Sequence, residues 1–495
     1  MRTLIPYNTI SMNRLPHFIR AGRRYVGGLA LLLYGLAAQP TRAQSAGETR
    51  VFSIKDCIDY AGANNSNLRI SRYDEQIARQ QVNQVRGRGL PQANINGSFE
   101  DRLKVPLLVI PGGSFLGRGA DTTGASSGSN NGNNAEGRGI PLGFKYNSSL
   151  SGEVTQMIFD PSFWIGLKAA KSSNQYYLQS TQQVSEQTAY NIANAYYQTI
   201  VVQKQLQLLG ANLANTRATL ASTELQYKNG VAKRVDVSRL RVNASNLESQ
   251  TQAAELGLVQ AQNALKFQMG MPLTQPIVLS DTALTFNQEE VVLTDVPENL
   301  FQNRIEYKLL QTNLRLQELD RKNAVAGYYP SLAGFANYGY VSQGADLGLF
   351  KTSSNGWVDY TTSTIGLRLR IPVFDGLQRN ALVQQSKLKA KQVEENINLT
   401  RQRISLEVSN ALTQYRNTLQ RIENEGQNVG LAEEVYRVTQ LEFREGVGTS
   451  TDVVNAETAL RQAQTTYITT LLDLYTARLD LERAKGNLLP YLTNR

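Results

Sequence analysis

His17 is the only histidine and Cys57 the only cysteine in 495 residues. A Ser-His-Asp or Cys-His nucleophile, an HExxH zinc site and a haem-attachment motif each need a histidine in the folded part of the chain. His17 lies in a segment with the features of an export signal, so those classes drop out. What remains on paper is carboxylate or lysine chemistry. A pair such as Glu289-Glu290 would need a rigid scaffold to hold its members at hydrolytic spacing. It falls instead in an irregular link and reads as a solvated loop. Cys57 has no internal disulfide partner and reads as a small buried apolar residue on a helix. The sequence therefore predicts no enzyme, no cofactor and no metal centre.

The export reading rests on residues 1–43. Arg2, Arg14, Arg20, Arg23, Arg24 and Arg42 lie there without a single acid. An apolar run from Val26 to Ala38 follows, and then the small-residue step Thr41-Arg42-Ala43. This is the order of a secretory signal peptide, with cleavage after Ala43 and a start at Met1 or Met12. The formal net charge of +10 falls to +4 once these six arginines are set aside. The apparent basicity belongs mostly to the leader and gives little reason to expect a nucleic-acid partner. No later stretch has the 18 or so apolar residues of a spanning helix.

The rest of the chain repeats itself. Arg88-Gly-Leu-Pro91 matches Gly327-Tyr-Tyr-Pro330, and Ile158-Phe-Asp160 matches Val373-Phe-Asp375. Asn194-Ala195 matches Asn410-Ala411. Tyr227-Lys-Asn-Gly-Val231, leading to Asp236-Val237, matches Phe443-Arg-Glu-Gly-Val447, leading to Asp452-Val453. The offset is 239 at the prolines and 215–216 afterwards, so the first copy carries 24 extra residues within 111–139. That stretch is Gly-, Ser- and Asn-rich and reads as a long loop outside the cell.

Each copy reads as helix, two strands, then two helices. Copy one covers 44–270, with a helix over 54–88 that stops before Pro91 and strands at about 92–110 and 145–160. A link covers 271–297. Copy two covers 298–489, with strands at about 331–345 and 360–374, and 490–495 form a tail. The strand pattern is clearest where Ile365, Leu367, Leu369, Ile371 and Val373 alternate with Thr364, Gly366, Arg368, Arg370 and Pro372. Alternation with one apolar side means a sheet between two different solvents. Proline-free runs from Phe163 to Tyr227 and from Leu377 to Phe443 predict helices of roughly 95 Å. Their partners keep a seven-residue seam through Leu240, Ala244, Leu247 and Leu265, and through Val453, Ala456, Leu460, Leu474 and Leu481. Gly230 and Gly446 supply the turns.

Four strands cannot close a barrel with one apolar face. Two chains would give eight strands and an interior filled by side chains, whereas three give twelve and room for water. The expected fold is thus an α+β membrane protein, a trimeric twelve-stranded barrel continued by a long α-helical coiled-coil tunnel. Glu153, Arg368 and Arg370 would face the lumen, and the opposite strand face would meet outer-membrane lipid. Phe159, Trp164, Tyr328, Tyr329 and Phe374 stand at the strand–helix junctions, where an interfacial aromatic belt belongs. A trimeric coiled-coil adhesin would gather its strands at the C-terminus without duplication, and a periplasmic coiled-coil scaffold without a barrel would need these strands to pack on themselves.

With these features together the chain resembles the TolC-type outer membrane efflux proteins across residues 50–489. The resemblance is carried by Ser53-Ile-Lys-Asp-Cys-Ile-Asp-Tyr-Ala-Gly-Ala-Asn-Asn65, the strand openings at Pro91 and Pro330, the Phe-Asp strand ends and the two Gly-Val/Asp-Val hairpins. It implies a homotrimer in the outer membrane of a Gram-negative bacterium, partnered by a periplasmic adaptor and an inner-membrane transporter. The trimer would be a passive exit duct for efflux or type I secretion. It also implies a periplasmic gate at Asp452, where Asn455 replaces the usual second aspartate, with Asp236 as the first-copy counterpart. The adaptor-docking tips would be Gly446, Val447, Gly448 and Thr449, and Gly230 with Val231. There Val231-Ala232-Lys233 departs from the family pattern.

Overall fold

A computed structural model describes residues 51–110, 138–141, 143–280, 299–347 and 357–493. The proposed signal, most of the 111–139 loop and Glu289-Glu290 lie outside the described residues. In chain order the elements are β1 (Val51–Phe52), α1 (Ile54–Asn64), α2 (Ser66–Gly87), β2 (Gln92–Asp101), β3 (Leu107–Ile110), β4 (Arg138–Pro141) and β5 (Tyr146–Phe159). Then come α3 (Pro161–Lys228), α4 (Arg234–Met269), β6 (Val278–Leu279), α5 (Asn299–Asn303), α6 (Ile305–Ala326) and β7 (Ser331–Gly344). The last elements are β8 (Trp357–Arg370), α7 (Gln378–Arg444), α8 (Ser450–Ala484) and α9 (Leu488–Thr493).

The four main strands form one antiparallel sheet in the order β2-β5-β7-β8, so the two copies join through β5 and β7. Its register sorts side chains by face. Ala93, Val154, Ala336 and Ile365 lie in one row, and Asn94, Glu153, Asn337 and Thr364 in the next. Such alternation follows from the two-residue period of the pleat. Apart from Tyr146, Trp357, Gly339 and Gly344, every residue of these strands is exposed or half-buried.

Each strand ends in a device that starts a helix. Asp160 caps α3 by accepting from the Ser162 amide at 2.8 Å, with Pro161 in the first turn where a missing N–H costs nothing. In the second copy Gly376 and Leu377 both turn left-handed, and Asp375 reaches the Arg379 amide at 3.0 Å instead. The duplicated Phe-Asp pair thus has a local physical reason.

α3 has 68 residues and α7 has 67, each on the order of 100 Å long. α4 packs along one part of α3 and α2 along another; α8 and α6 do the same along α7. Each return helix stops where the short helix of its copy begins. Gly270, left-handed at φ 73°, ends α4 against Asn64 and Asn65. Asn65 caps α2 with its side-chain oxygen and donates Nδ2 to the Gln268 carbonyl at 2.7 Å. In the second copy Gly486 abuts Asn303, and Arg304 donates Nη1 to the carbonyls of Arg483 and Ala484 at 3.0 and 3.1 Å. Two different side chains solve one problem, the unpaired carbonyls of a helix end.

Near these junctions β1 pairs in parallel with β6. Cys57, Ile192, Tyr196, Leu265, Met269, Leu479 and Leu492 form the buried core around them. Cys57 is fully buried.

Several expected boundaries shift. The helix expected over 54–88 breaks at Asn65, whose capping geometry interrupts it. The strand expected over 92–110 divides into β2 and β3, and the one over 360–374 runs from Trp357 to Arg370, leaving Ile371, Val373 and Phe374 in the linker. Within the 271–297 link the described part includes β6, and the 490–495 tail begins inside α9.

Candidate functional site

Two regions hold the residues singled out in the sequence: the strand faces and the two hairpin tips. On the sheet Glu153, Arg368 and Arg370 all lie on the polar face, as the pairings Glu153–Asn337, Ala333–Arg368 and Ser331–Arg370 require. Arg368 sits over the Phe335 ring at 5.1 Å. The other face carries Ile95, Leu150, Val154, Ile365, Leu367 and Leu369, all exposed. Phe159, Trp164, Tyr328, Tyr329 and Phe374 are exposed as well. A band of apolar side chains bordered by aromatic rings suits lipid on that side and water on the other. Among the described residues no helix is long and apolar enough to cross a membrane.

At the tips Gly230 and Gly446 have φ of 78° and 80°, which glycine adopts without the steric cost other residues meet. Val231 and Val447 project from them, 78% and 83% exposed. Gly448 is held close to the Glu442 and Phe443 backbone. Thr449 begins α8 with a reciprocal cap: its hydroxyl accepts from the Asp452 amide at 3.2 Å, and Asp452 Oδ2 accepts from the Thr449 amide at 3.2 Å. The Thr449 hydroxyl also lies 2.6 Å from that carboxylate. Asp452 therefore has a local task, and its carboxylate sits at the positive end of the α8 dipole. Asn455 is exposed one turn further on.

Asp236 is placed differently from Asp452, although the repeat aligns them. Its Oδ1 accepts from the Ser450 hydroxyl at 2.5 Å and pairs with Arg239 at 3.4 Å, while Arg239 Nη1 donates to Ser450 Oγ at 2.5 Å. This ties the start of α4 to the start of α8. Asp236 and Asp452 thus do not form a matched pair.

A cluster that sequence reading missed lies just above the tips. Glu457 of α8 is only 4% exposed. It accepts from the Thr216 hydroxyl of α3 and from Asn243 Nδ2 of α4, the latter at 2.7 Å. Burial pushes its carboxyl above the usual range, opposed by those two hydrogen bonds and by Arg461. Tyr436 of α7 stands near; burial, then the Glu457 charge, raise its hydroxyl to about 12. Glu457 follows Ala456 in the seam of α8, and nothing in a seven-residue pattern reveals whether a flanking acid turns inward. Arg304 was missed for a similar reason, since its partners Glu306 and Glu407 and the end of α8 are distant from it or unremarkable in sequence.

The sequence pattern of the "Outer membrane efflux protein" family matches residues 123–271 and 296–487. TolC of Vibrio cholerae is 22% identical over 343 residues, covering 68% of this chain and 75% of that protein. The probable efflux pump outer membrane protein TtgC of Pseudomonas putida is 22% identical over 60% of each chain, so the alignment spans less than two thirds of its length. Among solved structures, the CmeC outer membrane channel of Campylobacter jejuni superposes with a TM-score of 0.67 at 15% identity, covering 88% of this chain and 86% of that one. At that identity the likeness is one of fold.

Proposed function

Because the chain belongs to the outer membrane efflux protein family, an outer-membrane protein with a periplasmic helical tunnel, we propose that three copies form the passive exit duct of a tripartite efflux or type I secretion machine. The observation that carries this reading is the two-faced sheet. β2 and β8 are its edges, and open edges invite pairing with another chain. Joining β8 of one copy to β2 of the next closes a barrel of twelve strands, wide enough for water, with Glu153, Arg368 and Arg370 lining it.

The helices support the same arrangement. α7 presents Leu431, Val435, Val438 and Leu441 to the outside, and α4 presents Val235, Val242 and Leu256. Spacings of three, four and seven suit lateral coiled-coil contact. An adaptor would meet the tips at Gly230, Val231, Gly446, Val447, Gly448 and Thr449, and the inner-membrane transporter would supply the energy. Native mass measurement of detergent-extracted outer membranes is expected to give a trimer that conducts ions in planar bilayers. A stable soluble monomer would overturn the duct.

Asp452 belongs to this reading as a gate candidate, with Asn455 and Asp236 beside it. Three copies around a narrow axis would make an anionic ring that prefers cations. Asp452→Asn removes the charge and keeps a residue suited to helix starts. The expected result is weaker cation preference and weaker block by divalent ions, with a stability loss of only about 0.3–1 kcal/mol from the weakened cap and dipole. Unchanged ion selectivity in single-channel recordings would leave Asp452 as a helix cap alone.

A further inference from the structure

The two copies use one pair of positions in opposite ways. In the first copy Glu224 and Arg241 form an ion pair at 2.6 Å between α3 and α4, so the first hairpin is tied to itself. The repeat offset of 216 carries these positions to Gln440 and Glu457. In the second copy they do not tie α7 to α8. Gln440 Nε2 donates instead to Thr219 Oγ1 of α3 at 3.3 Å, and Glu457 turns to Thr216 and Asn243. The equivalent of an exposed intra-hairpin ion pair has become a buried bond between hairpins.

We propose that Glu457 is a proton-controlled tie between the α3–α4 and α7–α8 hairpins, tighter in acid and looser at neutral pH. This deepens the duct reading and rests on it for its consequence, control of the periplasmic end. The groups facing Glu457 are few. α3 offers Thr216 and α4 offers Asn243, neither titratable. α7 offers Tyr436, which keeps its proton throughout and has Arg444 near it. α8 itself offers Arg461. The nearest countercharge thus belongs to the same helix as Glu457. An ionised carboxylate here has two donors and little water, so its charge opposes close packing of the hairpins. Protonated, it keeps a polar partner on each side without that penalty.

The direction follows from linkage. A carboxyl whose proton is held more tightly in the packed state favours packing at low pH. That contribution is complete below the ordinary carboxylate value of 4.5 and is lost as pH rises through the elevated value in the packed state.

The test compares full-length trimers of the wild type, E457Q and T216V by hydrogen exchange at matched pH, so that intrinsic exchange rates cancel. At pH 7.5, segments 213–224 and 436–460 should exchange faster in the wild type than in E457Q, and at pH 4, below the ordinary carboxylate value, the two should agree. T216V removes a donor to the charged form and an acceptor for the protonated one, so it should speed exchange at both pH values, and more at pH 7.5. It therefore tests the tie even if E457Q does not fold. Differences that are absent, or equal at both pH values, overturn the tie. Bilayer conductance of the same samples separates the two readings: no channels in any sample defeats the duct, while channels with identical pH profiles in wild type and E457Q defeat the tie alone.

Discussion

Replacing Ile365 by lysine is expected to keep the chain out of the membrane-inserted assembly, whereas the same change at neighbouring Thr364 leaves assembly intact. Ile365 is 87% exposed in the single chain and lies in a row with Ala336, Val154 and Ala93. Thr364 lies in the next row, with Asn337, Glu153 and Asn94. A lysine in the lipid-facing row near the bilayer midplane costs about 2–4 kcal/mol per chain, so on the order of 6–12 kcal/mol in a trimer. A lysine in the water-facing row adds three cations to the lumen and shifts ion preference toward anions. Outer-membrane fractionation, native mass measurement and reversal potentials read all three effects. Normal assembly of Ile365→Lys with failure of Thr364→Lys would mean that the faces are assigned the wrong way round.

Gly270→Ala should destabilise the helical region far more than Gly230→Ala, although both glycines are left-handed. A Cβ at Gly270 would stand 2.6 Å from the Asn64 carbonyl oxygen and 2.9 Å from its carbon. Backbone cannot swing aside as a side-chain tip does, and the displaced segment includes Asn65, which closes α4 through Gln268. The left-handed conformation alone costs an alanine about 1–2 kcal/mol, and forcing packed backbone apart adds about 1–3 kcal/mol more. At Gly230 a Cβ meets open space, so only the conformational cost of about 1–2 kcal/mol remains. Denaturant midpoints of the full-length protein, with limited proteolysis around residue 65, compare the two. Equal losses would mean that the α4–α2 junction tolerates movement.

The helix expected over 54–88 illustrates where local reading stops. Its apolar positions keep their helical spacing on both sides of Asn65, a residue that favours a cap but is tolerated within a helix. The arrival of Gly270 and the Gln268 carbonyl from 200 residues away decides between them. The strand expected over 92–110 likewise divides because residues 107–110 find β4, while 92–101 find β5. Strand alternation indicates which side is apolar but not which strand lies alongside.

By itself the sequence determined the duplication, the two solvents of the strands, the two long helices with their seams, and the glycine turns. Each is written within one or two turns or strand repeats, where sterics and side-chain period act directly on neighbouring residues. It also carried enough motifs to indicate the family. The tertiary structure alone decided the strand order, the different roles of Asp236 and Asp452, and the inward turn of Glu457. Those outcomes depend on partners far off in the chain: Ser450 for Asp236, and Thr216 with Asn243 for Glu457. A charged residue beside a helix seam is stable outside in water or inside with two donors, and only the packing of the other hairpin provides the donors.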